Sequence, residues 1–261
     1  MGIRQYQVDA FTDRPFAGNP AAVCILEKWL DDDLMQAIAA ENNLSETAFC
    51  VRDGARWRLR WFTPSCEVPL CGHATLATAH VLFTEMSIDE PTLEFDTLGG
   101  TLAVRREGTM LAMDLPAWPA QAIATPAGLE RALGATPDET LEANDYLLAV
   151  MADAAVVRRL APDIDRLKAL PHWGIVVTAR GDDGYDFVSR FFAPAHGVAE
   201  DPVTGSAHCA LTPYWAARTG RVRMIGLQCS GRSGEVDCEL LGPRVMLRGR
   251  AVTVIDSEVR L

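Results

Sequence analysis

Residues 3–11 alternate between apolar and polar positions well enough to predict a first strand, and Ala21 to Leu26 predict a second. The loop between them, Thr12 to Pro20, is dense in turn residues. Asp31, Asp32 and Asp33 place acids where they complement a helix start, and Leu34, Met35, Ile38 and Ala39 carry an apolar face to about Asn42–Asn43. Leu44 to Val51 reads as a connector entering a strand, and Trp57 to Phe62 as another strand that ends before Thr63-Pro64. His73 to Phe83 then contains no Asp, Glu, Lys or Arg. A helix apolar on nearly all sides must be buried on nearly all sides, so this stretch predicts a helix inside a wrapped sheet. Residues 91–115 read as two or three strands with a turn at Gly99-Gly100, and Pro116, Pro119 and Pro126 mark a linker. The expectation is an N-terminal domain of residues 1–115 and a C-terminal domain of residues 116–261, whose last strand can return to the first domain.

The second half repeats the programme. A helix over about Pro126–Leu133, a strand from Asp145 to Met151, a helix from Asp163 to Leu170 and a strand from Gly174 to Ala179 lead to a strand at Asp186–Phe192. Arg60-Trp61-Phe62-Thr63-Pro64 returns as Arg190-Phe191-Phe192-Ala193-Pro194, and Cys71-Gly72-His73-Ala74 as Thr204-Gly205-Ser206-Ala207. Pro64 and Gly72 are 8 positions apart and Pro194 and Gly205 are 11, so the second copy carries three extra residues. Ser206 to Ala217 is again almost uncharged, although Pro213 should kink this helix or delay its start. Strands are expected near 224–229, 235–241, 245–247 and 251–254. Two such units imply an internal duplication.

Composition narrows the function. The chain of 261 residues carries 24 basic and 35 acidic side chains, a formal charge of -11 that disfavours nucleic acid and anionic membrane surfaces as partners. No apolar run approaches the roughly 20 residues of a membrane helix, and without a basic stretch followed by an apolar run in the opening residues no signal peptide is expected. Seven cysteines without framework spacing suit reduced thiols and a cytoplasmic location. Cys66, Cys71, His73 and His80 lack paired metal-ligand spacing, so no metal is expected.

The duplicated motif supplies the candidate chemistry. With the halves packed about a pseudo-twofold, the amides of two helix N-termini, at Gly72 and at Gly205-Ser206, would converge on a small-molecule carboxylate. Glu46 and Asp201 are a possible carboxylate pair, with His73 as a third titratable group, which is material for general acid–base catalysis. No P-loop or GxGxxG fingerprint is present. Each residue also has a structural reading. Glu46 could be a solvated carboxylate at a strand entrance, Asp201 a cap, His73 a core histidine, Cys71 a small buried hydrophobe, and Gly18-Asn19-Pro20 a tight turn.

The set Val8-Asp9-Ala10-Phe11, Phe16-Ala17-Gly18-Asn19-Pro20, Asn43-Leu44-Ser45-Glu46-Thr47, Phe62-Thr63-Pro64, Cys71-Gly72-His73-Ala74-Thr75 and Glu200-Asp201-Pro202-Val203-Thr204-Gly205-Ser206 resembles the PhzF family, the phenazine-biosynthesis isomerase-like proteins. The resemblance implies an α+β fold of the diaminopimelate epimerase type, with two similar domains, each a mixed sheet wrapped around a buried helix, and an active site between them. It implies cofactor-independent isomerisation and a homodimer. It places the catalytic glutamate on Glu46, with His73 and Asp201 assisting, and substrate contacts at Gly18, Asn19, Ser45, Gly72, Gly205 and Ser206. Related epimerases and racemases use a cysteine from each half; here Cys71 matches the first and Thr204 occupies the second position, which disfavours a two-thiol racemase. The expected function is a proton-moving isomerase on a small carboxylated metabolite. A Cys71-dependent epimerase and a non-catalytic metabolite-binding protein are the alternatives.

Overall fold

The computed structural model describes residues 2–261, and these divide into two compact units, one of residues 2–114 with 248–261 and one of residues 115–247. The first unit contains β1 (Gly2–Ala10), β2 (Asn19–Leu26), α1 (Asp32–Asn42), β3 (Glu46–Asp53), β4 (Arg56–Phe62), the short β5 (Glu67–Val68), α2 (Gly72–Thr84), β6 (Thr92–Thr97), β7 (Gly100–Glu107) and β8 (Met110–Pro116). The second contains β9 (Gln121–Ala122), α3 (Leu129–Leu133), β10 (Glu139–Ala143), β11 (Tyr146–Val150), α4 (Ala154–Arg159), α5 (Ile164–Lys168), β12 (Gly174–Arg180), β13 (Phe187–Ala193), β14 (Val198–Asp201), α6 (Gly205–Thr219), β15 (Arg223–Gln228), β16 (Gly234–Leu241) and β17 (Arg244–Gly249). The final strand, β18 (Ala251–Arg260), pairs antiparallel with β1.

Each unit is a mixed sheet, and the two sheets follow one plan. In the first, β1 and β2 are antiparallel, β2 and β3 parallel across α1, β3 and β4 antiparallel, β4 and β6 parallel across α2, and β6 and β7 antiparallel. In the second, β10 and β11 are antiparallel, β11 and β12 parallel across α4 and α5, β12 and β13 antiparallel, β13 and β15 parallel across α6, and β15 and β16 antiparallel. Parallel neighbours require a crossover, and helices fill every one of these. The strands beside the crossovers are buried on both faces, as β11 and β12 show with an almost unbroken run of buried residues.

The uncharged helices do what their composition predicts. In α2 every residue from Gly72 to Ala79 is buried, and the helix packs against β1, β2, β3, β7 and β18. The opposite face of that sheet is covered by α1 through Met35, Ile38 and Ala39. In the second unit α6 packs on β15 and β16, and its Trp215 indole donates to Thr178 of β12 and stacks against Phe187 of β13. A separate core of Leu129, Leu133, Val157 and Leu167 from α3 to α5 covers the other face. The apolar area removed from water on both faces, at roughly 25 cal/mol per Å², is the main stabilising term.

One sequence expectation needs correction, and two elements had none. Pro213 does not delay α6: the helix begins at Gly205 and runs to Thr219 with Pro213 inside. Proline removes the amide that would bond the carbonyl four residues back, and here the Cys209 carbonyl accepts instead from the Trp118 amide at 2.8 Å. The linker segment thus supplies the missing donor. The strand β10 and the helix α4 were not foreseen. Both are short, and α4 is started by the Asp153 carboxylate accepting from the Val156 amide at 2.7 Å.

Candidate functional site

Glu46 is the first residue of β3, placed there as the chain leaves α1 through Asn43, whose left-handed backbone ends the helix. Its side chain is 15% exposed, and Oε2 lies 3.1 Å from His73 Nε2. The solvated-carboxylate reading of Glu46 does not describe this environment. His73 sits in the first turn of α2, where the chain has just passed the extended Cys71. Asn19, the first residue of β2, brings its side-chain amide nitrogen within 3.1 Å of His73 Nδ1, and Cys71 Sγ lies 3.5 Å from that same ring nitrogen. With Asn19 donating to Nδ1, the ring proton of a neutral His73 resides on Nε2, facing Glu46. Burial pushes the His73 pKa down to about 3, so the imidazole is neutral at ordinary pH. The pair is a carboxyl beside an uncharged N–H donor.

Gly18 explains how Asn19 reaches this position. Its φ of +64° is left-handed, and a Cβ there would lie 2.1 Å from the Ala10 carbonyl oxygen. The close approach is between chain segments, and its product is the placement of Asn19. Nearby, the buried Asp9 accepts from the Phe16 amide at 2.7 Å and ties down the same loop. Ser45 is half-buried immediately before Glu46, and Gly72 opens α2. Glu46, Cys71 and His73 each offer one donor atom within 4.8 Å of the others, so this trio is where the first unit could hold a metal ion. Cys66 is exposed, and His80 instead contacts Thr253 Oγ1 at 3.1 Å.

The second unit builds a different polar cluster on the corresponding turn. Asp201 ends β14 and is buried, and the Thr204 hydroxyl donates to its Oδ2 at 2.5 Å. The fully buried Gln228 side chain accepts from the Thr204 amide at 2.8 Å and donates to the Asp201 carbonyl at 2.8 Å and to Thr204 Oγ1 at 3.1 Å. Gln228 is therefore the brace of this turn, and nothing in its strand pattern singled it out. His208, one turn into α6, bonds the Thr204 carbonyl through Nδ1 at 2.8 Å, and burial lowers its pKa to about 4. Ser206 Oγ lies 2.8 Å from the Tyr146 hydroxyl, a partner that sequence reasoning also missed. The first-turn amides of Gly205 and Ser206 have no intrahelical acceptor and form the positive end of α6.

Strand registers make the two clusters comparable residue by residue. Thr47 pairs with Phe62, and Ile175 pairs with Phe192 of the repeated aromatic segment. Glu46 therefore corresponds to Gly174, and since Ala21 pairs with Glu46 and Tyr146 with Gly174, Ala21 corresponds to Tyr146. The short strands align Val68, opposite Trp61, with Asp201, opposite Phe191. The three extra residues of the second copy thus fall between Phe191 and Asp201, where a tight turn spans Pro194–His196.

The sequence profile of phenazine biosynthesis-like proteins, PhzC-PhzF, matches residues 8–257. An uncharacterized isomerase of Pseudomonas aeruginosa is 52% identical over the whole of both chains. The human phenazine biosynthesis-like domain-containing protein is 41% identical, with 98% of this chain and 99% of that one covered. The crystal structure of a PhzF-family phenazine biosynthesis protein from Enterococcus faecalis superposes with a TM-score of 0.97 at 45% identity, covering all of both chains. A hydroxyproline epimerase from Agrobacterium vitis shares the fold at 13% identity, with a TM-score of 0.63 and coverage of 99% of this chain and 92% of that one. With its mixed α+β sheets, buried helices and repeated glycine turns, the chain belongs to the PhzF family of phenazine biosynthesis-like proteins, a family with isomerase relatives.

Proposed function

We propose that this protein is a cofactor-independent isomerase that moves a proton between carbon atoms of a small carboxylated metabolite. The observation that carries the proposal is the contact of Glu46 Oε2 with His73 Nε2 at 3.1 Å, with the imidazole held neutral by burial. A neutral imidazole, unlike an imidazolium, adds no positive charge beside the carboxylate to oppose its protonation. Glu46 takes a proton from one carbon in its ionised form and returns it to another in its protonated form. His73 steadies the carboxyl in both states, and Asn19 keeps the ring in the required tautomer. Asp201, Gly205 and Ser206 bind and orient the substrate carboxylate and its neighbouring groups, and Gly18, Ser45 and Gly72 shape the surroundings of Glu46. The protein works as a homodimer in the cytoplasm. Among the described residues no helix is long and apolar enough to cross a membrane.

A direct test is a metabolite screen in deuterated water, scored by mass spectrometry. The proposal expects a carboxylated compound to gain label at carbon with the wild type. Ligands that bind and never gain label would instead identify a metabolite-binding protein.

A second reading has its own observation, the 3.5 Å approach of Cys71 Sγ to His73 Nδ1 at the start of α2. A thiolate there could serve as an epimerase base with an unlike partner. That reading predicts that Cys71→Ala abolishes turnover, whereas the Glu46 mechanism predicts that it survives.

A further inference from the structure

The position that Ala21 holds in β2 of the first unit is held by Tyr146, the first residue of β11, in the second, and this exchange gives the duplicated turn a new polar partner. In the first unit the second residue of the buried helix, His73, meets Glu46 and Asn19. In the second unit the equivalent residue, Ser206, meets the hydroxyl of Tyr146 at 2.8 Å. The position of the base is empty of side chain there, because Glu46 is replaced by Gly174. A Cβ on Gly174 would come within 2.4 Å of the Phe191 ring.

The phenol is held more firmly than a solvent-facing tyrosine needs. Tyr146 is 6% exposed. Its ring meets Trp118 edge-on at 5.6 Å, Phe191 at 5.2 Å, and stacks on Trp173 at 5.6 Å. Trp173 is in turn stacked on His196 at 4.7 Å, within the turn that the three extra residues create. Aromatic packing on three sides fixes the ring and with it the position of the phenol oxygen. A phenol is a stronger acid than an alkanol, which favours Tyr146 as the donor of this contact and the Ser206 oxygen as its acceptor. The Ser206 proton is then left to point elsewhere, and a hydroxyl that already accepts a hydrogen bond is a better donor.

We infer that Tyr146 is a positioning residue that orients the Ser206 hydroxyl as a donor to an anionic group of the substrate. The assignment deepens the proposed function and rests on it for the identity of the ligand. Tyr146 and Ser206 are the second unit's counterpart of the Glu46–His73 pair, converted from proton transfer to anion binding. A purely structural tyrosine, buried with its hydroxyl satisfied by the nearest oxygen, makes different predictions.

Two measurements decide. In Ser206→Cys the introduced thiolate should accept the Tyr146 hydrogen bond, so its alkylation by iodoacetamide, followed by mass spectrometry on the peptide that carries the substitution, has a low pH midpoint. Adding Tyr146→Phe should raise that midpoint by about one pH unit. An unchanged midpoint overturns the inference. With the substrate found by deuterium labelling, Tyr146→Phe should raise KM about tenfold with kcat within about twofold. The double variant Tyr146→Phe/Ser206→Ala should bind no worse than Ser206→Ala alone, and additive losses overturn the inference. A shifted midpoint with no label exchange into any metabolite would keep the Tyr146–Ser206 assignment and remove the isomerase reading.

Discussion

Arg60 and Glu67 in the first unit make a two-pronged ion pair at 2.7 Å, and Arg190 and Glu200 make the same pair in the second at 2.7 and 2.8 Å. Each guanidinium also lies 5.1 Å over a phenylalanine ring two residues on, Phe62 in one and Phe192 in the other. Only a few residues away the likeness ends. Glu46 faces Gly174, Val68 faces Asp201, Cys71 faces Thr204 and His73 faces Ser206 in the alignment of the two units. The duplication has kept the parts that hold strand to loop and changed the parts that point into the turn. Each unit retains one buried or half-buried carboxylate at its turn, but on different strands and with different company. Glu46 has a neutral imidazole; Asp201 is bound by a hydroxyl and stands next to a glutamine brace.

If the first unit carries the base and the second binds, substitutions at matched positions should have unmatched effects. The largest is expected for Glu46→Gln, which keeps shape and removes basicity. Turnover should fall by about 10²–10⁴-fold with KM little changed, measured by steady-state kinetics. Substitutions in the shared scaffold should instead behave alike. Glu67→Gln and Glu200→Gln should each lower stability by about 1–3 kcal/mol in denaturant titrations, because each leaves a partly buried guanidinium with a weaker acceptor. A large difference between the two would show that the pairs do not play the same part.

The acid limb of stability is the next expected effect. His73 and His208 have folded-state pKa values lowered by burial, to about 3 and about 4 from an ordinary 6.5. Between those values the unfolded chain binds more protons than the folded one, so stability falls as pH drops. Their contribution is complete above about pH 6.5 and is lost progressively from there down to about pH 4 for His208 and about pH 3 for His73. Thermal melts across this range should show the decline, and His208→Gln should make it shallower. The smallest effect is expected for Cys71→Ala. If Glu46 is the base, kcat/KM should stay within about threefold, whereas loss of all turnover would favour the thiol mechanism.

How much of this was legible in the residues depends on whether a signal lay in residue type or in register. The absence of charge from His73 to Phe83 predicted a buried helix, and α2 is buried there at every position but the half-buried His80. The repeated aromatic and glycine segments exposed the duplication, and the order of the motifs pointed to the PhzF family. The equivalence of Glu46 with Gly174, or of Ala21 with Tyr146, could not be read, because those residues share no chemistry and only strand pairing aligns them. Gln228 was hidden for a related reason: it lies 24 positions from Thr204, on a strand whose pattern does not set it apart. Pro213 does not delay α6, and the Cys209 carbonyl that its ring leaves without a helical donor accepts from a distant amide, that of Trp118.

Isotope exchange tests most directly whether Glu46 is the base that sets the first unit apart from the second. Wild type and Glu46→Gln would be incubated with the labelling substrate in deuterated water and the recovered compound analysed by mass spectrometry. The account predicts carbon-bound deuterium with the wild type and none above the uncatalysed background with Glu46→Gln, while the variant still binds the compound. Full exchange by Glu46→Gln would contradict it.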